Sequence, residues 1–170
     1  MKNKDFTLEI AEISELSECL KVLSEGRAYQ QFQGFTQWPE GYPSREDVLQ
    51  DISARRGYVL KTDGVICAYF YIAFEDSAYP EIVGAWHSDA PYMVIHRVAI
   101  ADGYRGKGIS SVLFACFESL AQSMGISNLR IDTHQQNIPM QKVLSKNGYI
   151  YCGTVVQNNG LRLAYDKTLR

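Results

Sequence analysis

The alternation of apolar and polar positions divides the chain into eleven predicted elements. Period-two alternation and short apolar runs predict strands over residues 7–11, 57–61, 65–72, 92–100, 129–131, 149–156 and 161–165. Apolar spacings of three and four predict helices after the N-cap residues Ser14 and Ser44 and over residues 109–124 and 139–146. Asp63-Gly64 and Asn158-Asn159-Gly160 are typical of hairpin turns. The order βααβββαβαββ indicates a mixed α/β fold.

Composition narrows the class of protein. With 170 residues, 46% of them hydrophobic, and no linker or repeat, the sequence predicts one domain over residues 1–170. A net charge of −2 without a basic block argues against nucleic-acid binding. No stretch approaches the roughly 18 apolar residues of a membrane span, and residues 1–6 lack the apolar core of a signal peptide. Four scattered cysteines without metal-ligand spacing favour a reduced, cytoplasmic protein with no metal.

The segment from Val98 to Ser111 carries the clearest chemistry, because an apolar strand runs through a glycine loop into the longest predicted helix. The first N–H groups of such a helix lack intrahelical partners and, with the helix dipole, form an anion site. Gly106 and Gly108 allow close approach of a phosphate, and Arg105 and Lys107 add charge. The spacing fits neither a P-loop nor a dinucleotide fingerprint. A surface turn that is rich in glycine for steric reasons is the alternative.

The run from Arg105 to Ser110 resembles the R/Q-x-x-G-x-G/A signature of the GNAT superfamily of N-acetyltransferases, with Ser110 in the place of the usual Gly or Ala. Asn137 and Lys146-Asn147-Gly148-Tyr149 extend the resemblance. It covers about residues 94–153 well, and the N-terminal half only in the order of its elements.

The resemblance implies a GNAT-like fold, in which a central, twisted, mostly antiparallel sheet contains a splayed parallel strand pair and carries flanking helices. It also implies acetyl-CoA as cosubstrate, with its pantetheine arm along the strand and its pyrophosphate at the glycine loop. The residues predicted to bind the cofactor are Val98, Ala99, Ile100, Arg105, Gly106, Lys107, Gly108, Ile109, Ser110, Ser111 and Asn137.

Acetyl transfer needs a base for the amine, and the resemblance suggests Asp132, five residues before Asn137. A solvated carboxylate or a partner of Arg130 is the alternative. His134 shares the strand face of Asp132 and is the second catalytic candidate, although a structural role is open for it and for His96. Many relatives carry a tyrosine as general acid where this chain has Leu144. Either another group serves, or the thiolate leaves unaided; the groups considered are Tyr149, Tyr151 and Ser145.

The resemblance also implies an acceptor pocket near the first two helices and the loops before the strand over residues 92–100. Aromatic and acidic side chains in those segments suit a small cationic amine, although they could equally be core and solvated surface. They are Trp38, Tyr42, Tyr79, Trp86 and Tyr92, with Glu40, Glu46, Glu75, Asp76 and Glu81.

These observations lead to an acetyl-CoA-dependent N-acetyltransferase whose acceptor is a small amine or a peptide N-terminus. A non-catalytic CoA-binding or sensor domain is the first alternative. A protein-interaction domain that uses the aromatic segment Trp38–Tyr42 is the second. No membrane or nucleic-acid partner is expected, and a homodimer is left open.

Overall fold

The computed structural model describes residues 5–157 and 160–170. The α-helices in this part of the chain are α1 (Leu16–Phe32), α2 (Arg45–Ser53), α3 (Ile109–Ser123) and α4 (Ile138–Lys146). The strands are β1 (Phe6–Ile10), β2 (Gly57–Thr62), β3 (Val65–Ala73), β4 (Val83–Gly84), β5 (Tyr92–Ile100), β6 (Asn128–His134), β7 (Ile150–Gln157) and β8 (Gly160–Thr168). The predicted order is confirmed, with β4 as an added short strand. Asn158 and Asn159 of the second predicted turn lie outside the described residues.

One mixed sheet forms the middle layer, with the strand order β1-β2-β3-β5-β6-β8-β7-β4. Neighbouring strands are antiparallel except β5 and β6, which run parallel. Helices α1 and α2 pack on one face of the sheet, and α3 and α4 pack on the other. Because side chains alternate along β2, Val59 packs in the core between the sheet and helices α1 and α2, whereas Tyr58 and Leu60 pack in the core between the sheet and helices α3 and α4. The mixed α/β, mostly antiparallel architecture is the one expected.

The parallel strands β5 and β6 separate after a short contact. They pair only where residues 92–94 face residues 128–130. Beyond this point, β5 stays paired with β3 through a register shift that places Arg97 and Val98 opposite a single residue of β3. Arg97 has a left-handed φ of 54° at this bulge. The result is a gap between β5 and β6 on the side toward their C-terminal ends.

The local turn and cap signals are confirmed in two of three cases. Ser44 caps α2, since its Oγ accepts from the Asp47 N–H (3.1 Å) and the Asp47 carboxylate accepts from the Ser44 N–H (2.7 Å). Asp63 and Gly64 have φ of 52° and 75°, as a type I′ turn requires. The prediction of Ser14 as a cap was wrong, because a 3₁₀ turn over Ile13–Glu15 precedes α1 and the Glu15 carboxylate accepts from the Glu12 N–H. None of the described helices is long and apolar enough to cross a membrane.

Replacing Ser44 by Ala should lower the free energy of unfolding by about 1 kcal/mol, because the Asp47 N–H loses its side-chain acceptor. Urea denaturation monitored by circular dichroism measures the change. Ser145→Ala is the matched control on the exposed side of α4, and it should change the free energy of unfolding by less than about 0.5 kcal/mol. Equal losses in the two variants would contradict the capping role.

Candidate active site

The loop between β5 and α3 presents a run of backbone N–H groups beside a pocket. Gly106 and Gly108 have φ of 72° and 80°, and Gly108 occupies the N-cap of α3. Within the described chain, the N–H groups from Gly106 to Ser110 donate to no protein acceptor. A β-carbon on either glycine would meet nothing within 4 Å, so the surface beside both is open. We call residues 106–110 the anion nest, because consecutive free N–H groups at a helix N-terminus bind anions.

The two cations of the loop fold back onto it. Arg105 pairs with the Asp102 carboxylate and its guanidinium lies 4.6 Å from the centre of the Tyr29 ring. Its Nη2 is buried and without a hydrogen-bond partner among the described residues. Lys107 Nζ donates to the Gly103 carbonyl (2.5 Å). Both charges are therefore held close to the anion nest, and Asp102 offsets part of them.

A pocket of about 320 Å³ lies between the nest, the end of β5 and α4. We call it the loop pocket. Of the residues predicted to bind the cofactor, all line it except Lys107 and Ser111. Asn137 is placed at its edge, where its side chain caps α4 by accepting from the Met140 N–H (3.2 Å).

A larger cleft, of about 600 Å³, lies between the separated ends of β5 and β6. We call it the central cleft. It shares four wall residues with the loop pocket, so the two cavities adjoin. These are Gln30, Val98, Asn137 and Met140. A long ligand held at the nest can therefore reach into the gap between the strands.

Asp132 lines the central cleft within a polar network. Its Oδ1 accepts from the Tyr79 hydroxyl (2.8 Å) and lies 3.5 Å from Gln157 Nε2. Gln157 also donates to Asp76 Oδ2 (3.1 Å), which lies 3.0 Å from His96 Nε2. Oxygens of the two carboxylates and a ring nitrogen of His96 all lie within 4.8 Å of one another. Such a trio can share protons or ligate a cation, so the expected absence of a metal stays a prediction.

The two carboxylates differ in their affinity for a proton. Burial raises the pKa of Asp132, although His96 and the Tyr79 hydroxyl act in the opposite direction. Burial also acts to raise the pKa of Asp76, but the hydrogen bonds from His96 and the Ala78 N–H bring it below its ordinary value. Burial raises the pKa of Tyr79 well above the usual range, and the neighbouring Asp132 adds to this effect, so Tyr79 remains a donor. Asp132 is thus the carboxylate that takes up a proton more easily.

The alternative role of Asp132 as a partner of Arg130 is not what the structure shows. The Arg130 guanidinium lies 4.2 Å from the Trp86 ring centre and 3.8 Å from that of Tyr92. Its Nη2 donates to the Ser88 carbonyl (2.7 Å). Arg130 is therefore used to hold the loop before β5 against the sheet.

His134 lies on the same strand face as Asp132 but outside the central cleft. Its ring stacks on Phe35 with centres 5.3 Å apart, and its Nδ1 accepts from the Gln136 N–H (3.1 Å). Burial lowers its pKa, and Arg162 adds to the effect. His134 is therefore neutral at physiological pH, with one ring nitrogen already engaged.

Gln37, in the loop between α1 and α2, joins the two sides of the cleft. Its Oε1 accepts from the His134 N–H (3.1 Å) and the Thr133 hydroxyl (3.3 Å), and Asn137 Nδ2 lies 3.5 Å away. Its carbonyl accepts from Arg162 Nη2 (3.2 Å). The sequence offered no signal for this bridge, because its partners are about a hundred positions away along the chain.

The groups considered as general acids lie elsewhere. Leu144 is fully buried in the core beneath α3. Tyr149 is buried edge-on against Phe114, and burial raises its pKa far above the usual range. Tyr149, Tyr151 and Ser145 line neither the central cleft nor the loop pocket.

The aromatic and acidic residues predicted for the acceptor divide into two groups. Four of them line the central cleft, namely Trp38, Tyr42, Glu75 and Asp76. The others do not: Tyr79 lies beneath it, Trp86 and Tyr92 hold Arg130, and Glu40, Glu46 and Glu81 are exposed elsewhere. The structure adds Tyr71, His96 and Gln157, which come from three separate strands. The sequence named His96 only as a structural candidate.

Comparisons with known proteins agree with this architecture. A model of the acetyltransferase (GNAT) family matches residues 26–149. A GNAT-family acetyltransferase structure from Streptococcus agalactiae 2603 is 32% identical, with a TM-score of 0.88 over 97% of this chain and 96% of that chain. One from Listeria monocytogenes 4b F2365 is 17% identical, with a TM-score of 0.76 over 99% and 97%.

A third structure, PaiA N-acetyltransferase from Thermoplasma acidophilum in complex with coenzyme A, is 15% identical, with a TM-score of 0.73 over 96% of this chain and 99% of that chain. Search of the curated proteins found no significant match. The match over residues 26–149 covers β5, the anion nest, α3, β6 and α4. The chain is therefore a member of the GNAT family of acetyltransferases.

Proposed function

We propose that this protein is an acetyl-CoA-dependent N-acetyltransferase whose acceptor is the primary amine of a small molecule or of a peptide N-terminus. The observation that carries the proposal is the junction of the two cavities. The loop pocket begins at an anion site, and the central cleft contains a carboxylate whose pKa is raised. Donor and acceptor therefore meet at the shared wall beside Val98 and Asn137.

Coenzyme A fits the residues of the loop pocket. Its pyrophosphate would be held by the free N–H groups of the anion nest, where no side chain intrudes. The pantetheine arm would follow β5 past Val98, where the strand has no partner on the side of the gap. Bound acetyl-CoA would supply the activated acetyl group.

Asp132 acts as the base in this proposal. An incoming ammonium must lose a proton before it can attack, and a carboxylate with a raised pKa is better matched to that task than an ordinary one. Tyr79 and Gln157 orient the carboxylate from one side. Glu75 and Asp76 add negative charge to the wall, which favours a cationic acceptor. A backbone N–H of β5 beyond Val94 would polarise the carbonyl under attack.

The leaving thiolate needs no acid from Leu144 or its neighbours. Leu144 has no proton to donate, and the three alternatives line neither cavity. A thiolate is a weaker base than a primary amine, because the pKa of a thiol is about 8.5 and that of an alkylammonium about 10.4, so the thiolate can depart unaided. The positions of Leu144, Tyr149, Tyr151 and Ser145 outside both cavities therefore favour a mechanism in which no general acid protonates the leaving thiolate.

A CoA-binding sensor without chemistry is the competing proposal. Release of free thiol from acetyl-CoA in the presence of a panel of mono- and diamines and short peptides separates the two. Turnover with any amine supports the enzyme, whereas tight CoA binding without turnover supports the sensor.

Gly108→Val should weaken CoA binding by about fivefold to more than a hundredfold, or ~1–3 kcal/mol, because a branched side chain distorts the nest and covers the pyrophosphate site. Isothermal titration calorimetry with CoA measures the loss. Gly103→Val is the matched control: Gly103 has no left-handed φ, and a β-carbon there meets nothing within 4 Å. A folded Gly108→Val protein with unchanged affinity would remove the nest from the proposal.

Asp132→Asn should lower turnover by about a hundredfold to ten-thousandfold while CoA affinity stays near that of the wild type. Since the base must be deprotonated and its pKa is raised, the acidic limb of the pH–rate profile should lie above the range of an ordinary carboxylate and should vanish in the variant. Initial rates from pH 5 to 9 measure both effects.

His96→Gln and His134→Ala test the neighbouring histidines in the same assay. His96 lines the cleft and His134 does not, so the loss should be larger for His96→Gln. Near-wild-type turnover and an unchanged profile in Asp132→Asn would transfer the role of base to one of them.

A further inference from the structure

A second cluster of reactive side chains lies on β7, β8 and the loop before β5. Cys152 Sγ lies 3.3 Å from His87 Nδ1, and the same nitrogen lies 2.8 Å from Asp166 Oδ1. The cysteine, histidine and aspartate offer one ligand atom each within 4.8 Å of the others. None of the three lines the central cleft or the loop pocket, so the proposed acetyl transfer leaves the cluster unexplained.

The arrangement does not suit a nucleophilic triad. In such a triad the base and the orienting carboxylate use opposite nitrogens of the imidazole. Here the sulfur and the carboxylate oxygen both face Nδ1, so the ring cannot pass a proton between them. The three atoms instead lie within 4.8 Å of one another, which is the spacing of ligands around one metal ion.

Arg130 faces Asp166 from β6 but stacks on Trp86 and Tyr92, so the ionic contact of the buried Asp166 carboxylate is with His87. Asp166 is 1% exposed, and no lysine or arginine of the described chain lies within 4.0 Å of its oxygens. Its partners are the backbone N–H and the ring of His87, and its thiol neighbour is Cys152. A buried carboxylate is costly unless it is paired with a cation or binds a metal. A metal ion bound by the cluster would be a cationic partner for this buried group.

We propose that His87, Cys152 and Asp166 bind one zinc ion, with water at the fourth position. Zinc takes thiolate, imidazole and carboxylate ligands in a tetrahedron whose corners lie about 3.3–3.6 Å apart. Two of the separations, 3.3 Å from Sγ to Nδ1 and 2.8 Å from Nδ1 to Oδ1, lie within roughly 0.5 Å of these values. The sulfur and the carboxylate oxygen lie within 4.8 Å of one another. The His87 side chain is 46% exposed, so the ion and its water have access from solvent.

Zinc binding would fasten the loop before β5 to the β7–β8 pair. That loop contains Trp86, whose ring lies on Arg130 and whose Nε1 donates to the Tyr79 carbonyl (3.0 Å). Tyr79 in turn donates to Asp132. The metal would therefore brace the outer wall of the central cleft without entering it. On binding, the Cys152 thiol becomes a thiolate and its proton passes to the buffer.

A calorimetric titration tests the proposal. Zinc chloride alone is added to the metal-free protein in two buffers that differ in their ionisation enthalpy, so that proton release can be measured. One zinc should bind per chain with release of the thiol proton. Cobalt chloride should produce a thiolate-to-cobalt charge-transfer band in the near ultraviolet. Mutation of residues that only hydrogen-bond to metal ligands typically weakens metal binding by about 10–100-fold. Loss of a direct ligand in Cys152→Ser or His87→Ala should therefore weaken zinc binding by at least about a hundredfold.

Cys116→Ser on α3 and Asp132→Asn in the central cleft are the controls, and both should bind zinc as the wild type does. Circular dichroism of each variant without metal confirms its fold, and exposed His87 is the ligand whose removal disturbs packing least. Binding that persists in Cys152→Ser and His87→Ala, that is lost in Asp132→Asn, or that is missing from the wild type would overturn the proposal. None of these results depends on acetyl transfer.

Discussion

The wall of the central cleft on the side of β5 depends on the bulge at Arg97, whose side chain is bound by Asp51 of α2. Arg97 adopts a left-handed φ of 54°, which is unfavourable for a side chain with a β-carbon. Its Nη1 donates to Asp51 Oδ1 (2.5 Å), its Nε donates to the Tyr42 hydroxyl (3.2 Å), and its guanidinium lies 4.8 Å from the Tyr71 ring centre. These contacts over-determine a conformation that the backbone alone would avoid. Without the bulge, β5 would run on in register with β3 and the wall of the central cleft would be different.

The sequence predicted the elements that depend on local physics. The seven longer strands and the four helices follow from periodicity, and Ser44 with Asp47 and Asp63 with Gly64 are recognised by spacing alone. The failure at Ser14 is equally local, because a glutamate pair three residues apart competed successfully with a hydroxyl cap. The anion nest was visible for the same reason, since its N–H groups belong to one continuous segment.

The acceptor side of the site was less accessible to sequence reasoning, because it is assembled from distant segments. Asp76, His96, Asp132 and Gln157 come from four places in the chain, and only their spatial meeting shows that the two carboxylates have opposite pKa shifts. Likewise, nothing local distinguishes Trp38, which lines the central cleft, from Trp86, which packs on Arg130. The residue type is the same in both roles, and only the position of each side chain in the fold separates them.

The side chain of Gln37 links the walls of the central cleft and the loop pocket. A single side-chain oxygen contacts the end of β6 and approaches the amide of Asn137, which also caps α4 beside the loop pocket. If a ligand in the loop pocket displaces Asn137, the contact with Gln37 would change, and Gln37 belongs to the same loop as Trp38 in the wall of the central cleft. Because one side-chain oxygen joins the walls of both cavities, a ligand that moves Asn137 would also act on Gln37, and any coupling between two ligands through this contact would be equal in both directions.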